Sequence, residues 1–122
     1  MRIRVFQREV HASTLAELRN ILSSRKESAA CFWLYGDNGS SLATMVRNES
    51  ACVHYFPDQE HPGFYAIGPN PDWDNWVEFI ADNYEATEIP LATIIPWDRA
   101  ERAAEEFFQS NGKPSSLSWA EL

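Results

Sequence analysis

Hydrophobic and polar residues alternate over several short stretches of this chain, which is the pattern of β-strands. In residues 2–7, Ile3 and Val5 point to one side and arginines point to the other, which predicts a half-buried strand. Residues 30–35 are apolar throughout and predict a central strand. Further strands are predicted at residues 41–47, 50–56, 64–67, 84–89 and 116–119.

Residues 72–83 fit two patterns. The residues Trp73, Trp76, Val77 and Ile80 fit one face of a helix, but residues 76–80 also alternate as a strand would. The segment is short, because Pro71 precedes it and a turn-forming Asp-Asn pair follows it, and this favours the strand. Pro90, at the end of the next strand, indicates an edge strand or a bulge.

Two helices are predicted. Thr14 and Glu17 have the spacing of a capping box, and apolar residues then recur at helical spacing through Leu22. Residues 23–28 are polar and predict a loop. The second helix contains Ala100, Ala103, Ala104, Phe107 and Phe108 on one face, and Gly112 is expected to end it in a left-handed conformation.

The order of these elements predicts an α+β fold. We expect one largely antiparallel twisted sheet of about six to eight strands, with two helices packed on it. The chain has 122 residues, of which 44% are hydrophobic, and this size suits a single domain over residues 1–122.

Charge is distributed unevenly along the chain. Residues 48–98 contain no lysine or arginine but ten carboxylates, so the net charge of −8 belongs mostly to the middle. A surface formed by this acidic segment would attract a basic partner. The acidic charge argues against nucleic acid or an anionic membrane as the ligand. The alternative is that the charge only maintains solubility. The carboxylates are Glu49, Asp58, Glu60, Asp72, Asp74, Glu78, Asp82, Glu85, Glu88 and Asp98.

The sequence predicts a cytoplasmic protein. Its beginning lacks an apolar run of signal-peptide length, and no segment approaches the ~20 apolar residues of a membrane span. Cys31 and Cys52 each lie in an apolar strand and are expected to be buried and reduced. No spacing of cysteine or histidine indicates a metal site, and no motif indicates a cofactor.

Candidate catalytic groups are few. Cys52 and His54 would share one face of a strand, and a small ligand-binding or enzymatic domain using them remains an alternative. The Asp72, Asp74 and Glu78 spacing does not match a calcium loop. No phosphate-binding, metalloprotease or nucleophile-elbow motif is present, so the sequence does not predict an enzyme.

The acidic middle of the chain is the predicted partner-binding surface. Trp73 lies between two aspartates in a proline-bounded loop and is the best candidate for an exposed aromatic anchor. Alternatively, Trp73 and Trp76 belong to the core, and Trp97 is a hydrophobic staple at the start of the second helix. The expected contact residues are Asp72, Trp73, Asp74, Glu78, Asp82, Glu85 and Glu88.

The last 90 or so residues resemble the first-numbered immunity protein family of bacterial polymorphic toxin systems. The resemblance is carried by residues 103–108, by Gly112-Lys113-Pro114 and by the final segment with Trp119, and upstream by residues 51–56, residues 61–65 and Gly68. The matching packing residues Phe107, Phe108, Pro114 and Trp119 imply a structural role, which is to hold the second helix against the sheet.

The resemblance implies a cytoplasmic antidote that binds and blocks a cognate toxin domain, often a nuclease or a nucleic-acid deaminase. The acidic middle of the chain predicts that this toxin domain is basic. We expect the protein to be a monomer or a weak dimer. Contact residues in the family vary with the toxin, so the resemblance assigns none here. A general inhibitor that mimics nucleic acid is a second possibility, and it predicts binding to many basic proteins with strong salt dependence.

Overall fold

The computed structural model describes residues 1–24 and 29–122. Most of the polar loop predicted over residues 23–28 lies outside this described part. The helices are α1 (Leu15–Ser23) and α2 (Trp97–Ser110), and a 3-10 turn spans Leu91–Thr93. The strands are β1 (Arg2–Val5), β2 (Arg8–His11), β3 (Ala30–Tyr35), β4 (Ser41–Arg47), β5 (Ser50–Phe56), β6 (Phe64–Ile67), β7 (Trp76–Ile80), β8 (Ala86–Pro90), β9 (Ile95–Pro96) and β10 (Ser118–Glu121).

Eight of these strands form one antiparallel sheet. Its order is β10-β6-β5-β4-β3-β1-β2, and the short β9 pairs with β5. β7 and β8 form a separate two-stranded hairpin, so the ambiguous segment is a strand, as its length favoured. The predicted α+β class, with two helices on a largely antiparallel sheet, is confirmed for the described residues.

The two faces of the eight-stranded sheet have different surroundings. Alternate residues such as Phe32, Leu34 and Val53 join one hydrophobic core with residues of α1 and α2. This side is called the helix-covered face. The intervening residues, such as Trp33 and Met45, lie on the opposite side, called the open face, where the β7–β8 hairpin covers part of the sheet.

The helix ends follow capping chemistry, with one correction. Thr14 and Glu17 form the predicted capping box at the start of α1. α2 does not end at Gly112, because Asn111 takes the left-handed conformation with φ 56°. The carbonyl of Asn111 accepts hydrogen bonds from Asn38 Nδ2 at 3.0 Å and Ser40 Oγ at 2.9 Å. The β3–β4 turn therefore fixes the helix end one residue earlier than glycine chemistry suggested.

The predicted strand over residues 2–7 is too long and hides a hairpin. Phe6 and Gln7 have φ values of 44° and 68°, and the chain turns there and returns as β2. Two successive left-handed residues normally require Asn or Gly, so the sequence carries no signal for this turn. Neither helix in the described residues is long and apolar enough to cross a membrane.

Candidate functional site

The loop before β7 is shaped by the Asp72 carboxylate. Asp72 accepts hydrogen bonds from the backbone of Asp74 at 2.8 Å and from the side chain and backbone of Asn75 at 2.8 and 3.1 Å. The side-chain amide of Asn75 and these backbone donors hold the pKa of Asp72 below its ordinary value. Asp72 thus folds the loop, while Trp73 and Asp74 project into solvent.

The β7–β8 hairpin has one apolar and one acidic side. Phe79 and Ile89 are buried and pack on Cys52 and its neighbours on the open face. The alternate positions point outward because successive strand side chains face opposite sides. Glu78 and Glu88 are both outward and exposed, and Trp76 beside them is 56% exposed.

Glu78 and Glu88 are directly opposite each other across the hairpin. One backbone hydrogen bond lies at each end of the β7–β8 pairing. Leu91 N donates to Asn75 O at 3.0 Å at one end, and Ala81 N donates to Glu85 O at 2.9 Å at the other. Counting inward from them places the glutamate pair at a non-hydrogen-bonded position, where Cα atoms are only about 4.5 Å apart. Two like charges at this position destabilise the hairpin.

Exposed aromatic residues accompany these acids. Trp73, Trp76 and Tyr84 are three of the four large hydrophobic residues that are exposed in the described part of the chain. The predicted exposure of Trp73 is confirmed, at 45%. We call the following exposed residues the acidic hairpin surface: Trp73, Asp74, Trp76, Glu78, Glu85 and Glu88.

Asp82, at the hairpin tip, is engaged within the chain. Its Oδ2 lies 2.7 Å from Arg4 Nε, and its Oδ1 accepts a hydrogen bond from the Gln7 backbone at 3.0 Å. The ring of Tyr84 stacks on Phe6 at 4.9 Å between centroids. This clasp joins the hairpin tip to the β1–β2 turn. Asp82 therefore positions the hairpin, in contrast to the exposed acids around it.

A trough runs along the open face beside the hairpin. One cross-strand row contains Trp33, Ala43, His54 and Tyr65 in register. The small Ala43 lies between the larger Trp33 and His54, and a cavity of about 390 Å³ is lined by these residues and by Thr87 of β8. Beyond Trp33, a second cavity of about 380 Å³ lies on the same face of the sheet. We call these two cavities together the trough.

Aromatic stacking builds the walls of the trough. Trp33 stacks on Phe56 with centroids 5.5 Å apart, and the His54 ring lies 4.0 Å from Phe56. At the β1 side, the Arg2 guanidinium lies 4.2 Å from the Tyr35 ring centroid. No signal in the sequence marked this face, because its aromatic residues alternate with core residues on the same strands.

Cys52 and His54 each contact a different partner in the structure. Burial raises the pKa of the Cys52 thiol to about 12, and its Sγ contacts Thr93 Oγ1 at 4.0 Å. His54 Nε2 is bonded to the Pro62 carbonyl at 3.1 Å, and burial lowers the pKa of the imidazole. Among the described residues, no group of three histidine, cysteine or acidic side chains could hold a metal ion.

The resemblance residues lie around the second helix. Phe107 is fully buried, and its ring meets Tyr55 edge-on at 6.2 Å. Trp119 Nε1 donates to the Pro114 carbonyl at 2.8 Å, which ties β10 to the turn after α2. Phe108 is partly buried against the same core.

The chain matches a known protein family. The sequence model of the immunity protein family Imm1 matches residues 5–121, nearly the whole chain. The chain belongs to the Imm1 family of immunity proteins. The match extends the resemblance, which covers about the last 90 residues, toward the N-terminus as far as residue 5. No curated protein sequence matches the chain. As a member of Imm1, the protein acts against a toxin.

Proposed function

We propose that this Imm1 protein binds one cognate toxin domain in the cytoplasm and blocks it without catalysis. The toxin is delivered by a neighbouring cell in a polymorphic toxin system, and its active domain is a basic nuclease or nucleic-acid deaminase. The proposal is supported by the family match and by the charge of −8. An acidic antidote associates quickly with a basic toxin because opposite potentials steer their encounter.

The proposed contact is the acidic hairpin surface. The observation that carries it is the Glu78–Glu88 pair, two exposed glutamates directly opposite each other on the hairpin and next to Trp76. A lysine or arginine of the toxin placed between them would remove the repulsion that the free protein sustains. Of the carboxylates in residues 72–90, Asp82 is the one for which the described residues provide an ion-pair partner. The exposed ones, Asp74, Glu78, Glu85 and Glu88, are therefore accessible to a partner.

Exposed tryptophans supply the apolar part of this contact. Large aromatic residues dominate the binding energy of many interfaces, and Trp73 and Trp76 flank the acids along the chain. Asp72 supports the contact indirectly, since its carboxylate holds the loop that presents Trp73. Asp82 has the same indirect role at the hairpin tip.

The test uses the toxin domain encoded by the neighbouring gene. Wild-type protein should bind this domain and suppress its activity, and Glu78→Gln with Glu88→Gln should weaken binding about 100-fold, at roughly tenfold per lost close charge pair. The matched control, Asp37→Asn with Glu60→Gln, removes two exposed charges elsewhere and should change affinity less than about threefold.

Salt dependence separates the cognate antidote from a general mimic of nucleic acid. A cognate complex anchored by tryptophans should lose only part of its affinity between about 50 and 200 mM salt, whereas a mimic should lose about 10³-fold or more. A mimic should also bind unrelated basic proteins. Failure of the toxin domain to bind at micromolar concentration in low salt contradicts the proposal.

A further inference from the structure

The outer edge of β8 carries unpaired backbone groups. The Glu78–Glu88 and Ile80–Ala86 pairs occupy non-hydrogen-bonded positions of the hairpin, so the N–H and C=O groups of Ala86 and Glu88 point away from β7. β8 pairs with β7 alone, and within the described residues no backbone hydrogen bond reaches Ala86 or Glu88 from elsewhere. Such an edge is a template for another strand.

The opposite edge of the hairpin is protected. Arg47 Nη1 donates to the carbonyl of Glu78 at 2.8 Å, so a side chain of the sheet occupies the outward carbonyl of β7. β7 also lies nearer than β8 does to β4, the strand that carries Arg47. The two edges of the hairpin therefore differ, and the edge of β8 is the open one.

The open edge borders the trough. Thr87 of β8 lines the cavity whose other wall contains Trp33 and His54. The hairpin packs over the row that contains Met45 and Cys52, and the trough is the next row along the strands. Successive rows on one face are two residues apart, about 6.6 Å, which is enough for one more strand at about 4.8 Å spacing.

We propose that the trough binds an extended segment of the toxin domain, which adds to the hairpin as a third strand beside β8. This inference rests on the proposed function and specifies how the partner is held. Apolar side chains on one side of the segment would pack over Ala43 between Trp33 and His54. Basic side chains on the other side would face Glu88 and Glu85. The fitting segment therefore alternates basic and apolar residues, by charge and shape complementarity with this edge.

Amide hydrogen exchange tests the hydrogen bonds directly. In the complex with the toxin domain encoded by the neighbouring gene, the amides of Ala86 and Glu88 should exchange at least about tenfold more slowly than in the free protein. The amides of Glu78 and Ile80 point to the other edge and are the internal control, which should change little. Contact through side chains of the acidic hairpin surface alone would leave all four amides nearly unchanged, which overturns the inference.

Two substitutions test the same site through affinity. Ala86→Pro removes an N–H that makes no bond within the hairpin, so the fold should persist and toxin affinity should fall about tenfold. Ala86→Ser keeps the N–H and should bind like the wild type. Ala43→Leu fills the trough floor and should also weaken binding about tenfold. Thermal unfolding by circular dichroism verifies that each variant is folded.

The outcomes separate this inference from the proposed function. If the toxin domain binds and is neutralised equally by wild type, Ala86→Pro and Ala43→Leu, the inference is wrong and the antidote function stands. If the wild type does not bind the toxin domain, both are wrong. If the free protein protects the Ala86 and Glu88 amides in a concentration-dependent manner, a second copy of the chain is the occupant, and this also overturns the inference.

Discussion

The two faces of the eight-stranded sheet are both rich in aromatic residues but differ in how they are covered. On the helix-covered face, Phe32 and Phe107 are fully buried, and Trp97 packs on Phe32 at 6.2 Å between centroids. On the open face, Trp33 and Phe56 stack on each other but are only partly buried. Whether aromatic side chains in a strand join the core or remain accessible therefore depends on the element that covers them.

The cover of the open face is itself small and polarised. The β7–β8 hairpin buries Phe79 and Ile89 beneath it and presents Glu78 and Glu88 above. Because the hairpin covers one row of the sheet, the neighbouring trough remains accessible. The helix-covered face provides stability, while the open face and the hairpin provide the surfaces that we assign to the toxin.

The largest expected effect concerns the helix-covered face. Phe107→Ala should reduce the free energy of unfolding by about 3–5 kcal/mol, because it removes a fully buried ring from the core. Urea denaturation measures this loss. Phe108→Ala is the matched control on the next residue of α2, and it should cost less because Phe108 is only partly buried. Equal losses for the two variants would contradict this description of the core.

Trp33→Ala is the counterpart on the open face. Its partly buried ring should contribute less stability than the ring of Phe107, and its loss should weaken toxin binding if the trough is a contact surface. The same denaturation experiment provides the comparison. A loss for Trp33→Ala as large as that for Phe107→Ala would mean that the two faces do not differ in the way proposed.

The next effect concerns the clasp that positions the hairpin. Asp82→Asn removes the charge that meets Arg4 but keeps an oxygen for the Gln7 backbone. We expect a loss of about 1–2 kcal/mol, since the Asp82 side chain is 13% exposed and the hydrogen bond is charge-assisted. Chemical denaturation measures the loss, and faster amide exchange in residues 81–85 would locate it. Asp74→Asn, an exposed acid, is the control and should have little effect.

The clasp also explains which parts of the fold the sequence could not predict. Strands β3, β4, β5 and β6 are marked by their own hydrophobic pattern and short turns, and their predicted bounds are confirmed. The turn at Phe6 and Gln7 is held by Tyr84 and Asp82, more than 70 residues away. A turn stabilised by distant side chains leaves no local signal, so the β1–β2 hairpin was missed.

The candidate site was predictable to a similar extent. The absence of basic residues between Asn48 and Asp98 indicated the acidic segment, and the aspartates around Trp73 indicated its exposure. The cross-strand pairing of Glu78 with Glu88 depends on the register of the β7–β8 hairpin. The sequence favoured a strand for residues 76–80 but did not predict its partner or register. The trough depends on which strands are neighbours, and alternation within one strand does not reveal that.

A smaller effect is expected from the histidine in the trough. Burial lowers the pKa of His54, so the unfolded chain binds a proton at higher pH than the folded protein does. The free energy of unfolding should therefore fall as the pH drops below the unfolded value of about 6.5. His54→Gln should reduce the difference in stability between about pH 7.5 and about pH 5.5. His11→Gln, at an exposed position, is the control.

The smallest change in stability should have the opposite sign. Glu78→Gln removes one of two close like charges on the hairpin, so the protein should become more stable by about 0.2–1 kcal/mol. Higher salt should shrink this gain, because the pair is exposed and screened. Glu85→Gln removes an equal charge that has no cross-strand partner in the hairpin ladder and should give a smaller gain. If Glu78→Gln is more stable yet binds the toxin domain more weakly, the free protein keeps an unfavourable charge pair that binding relieves. A loss of stability, or unchanged binding, would show that the pair contributes to the fold and not to the contact.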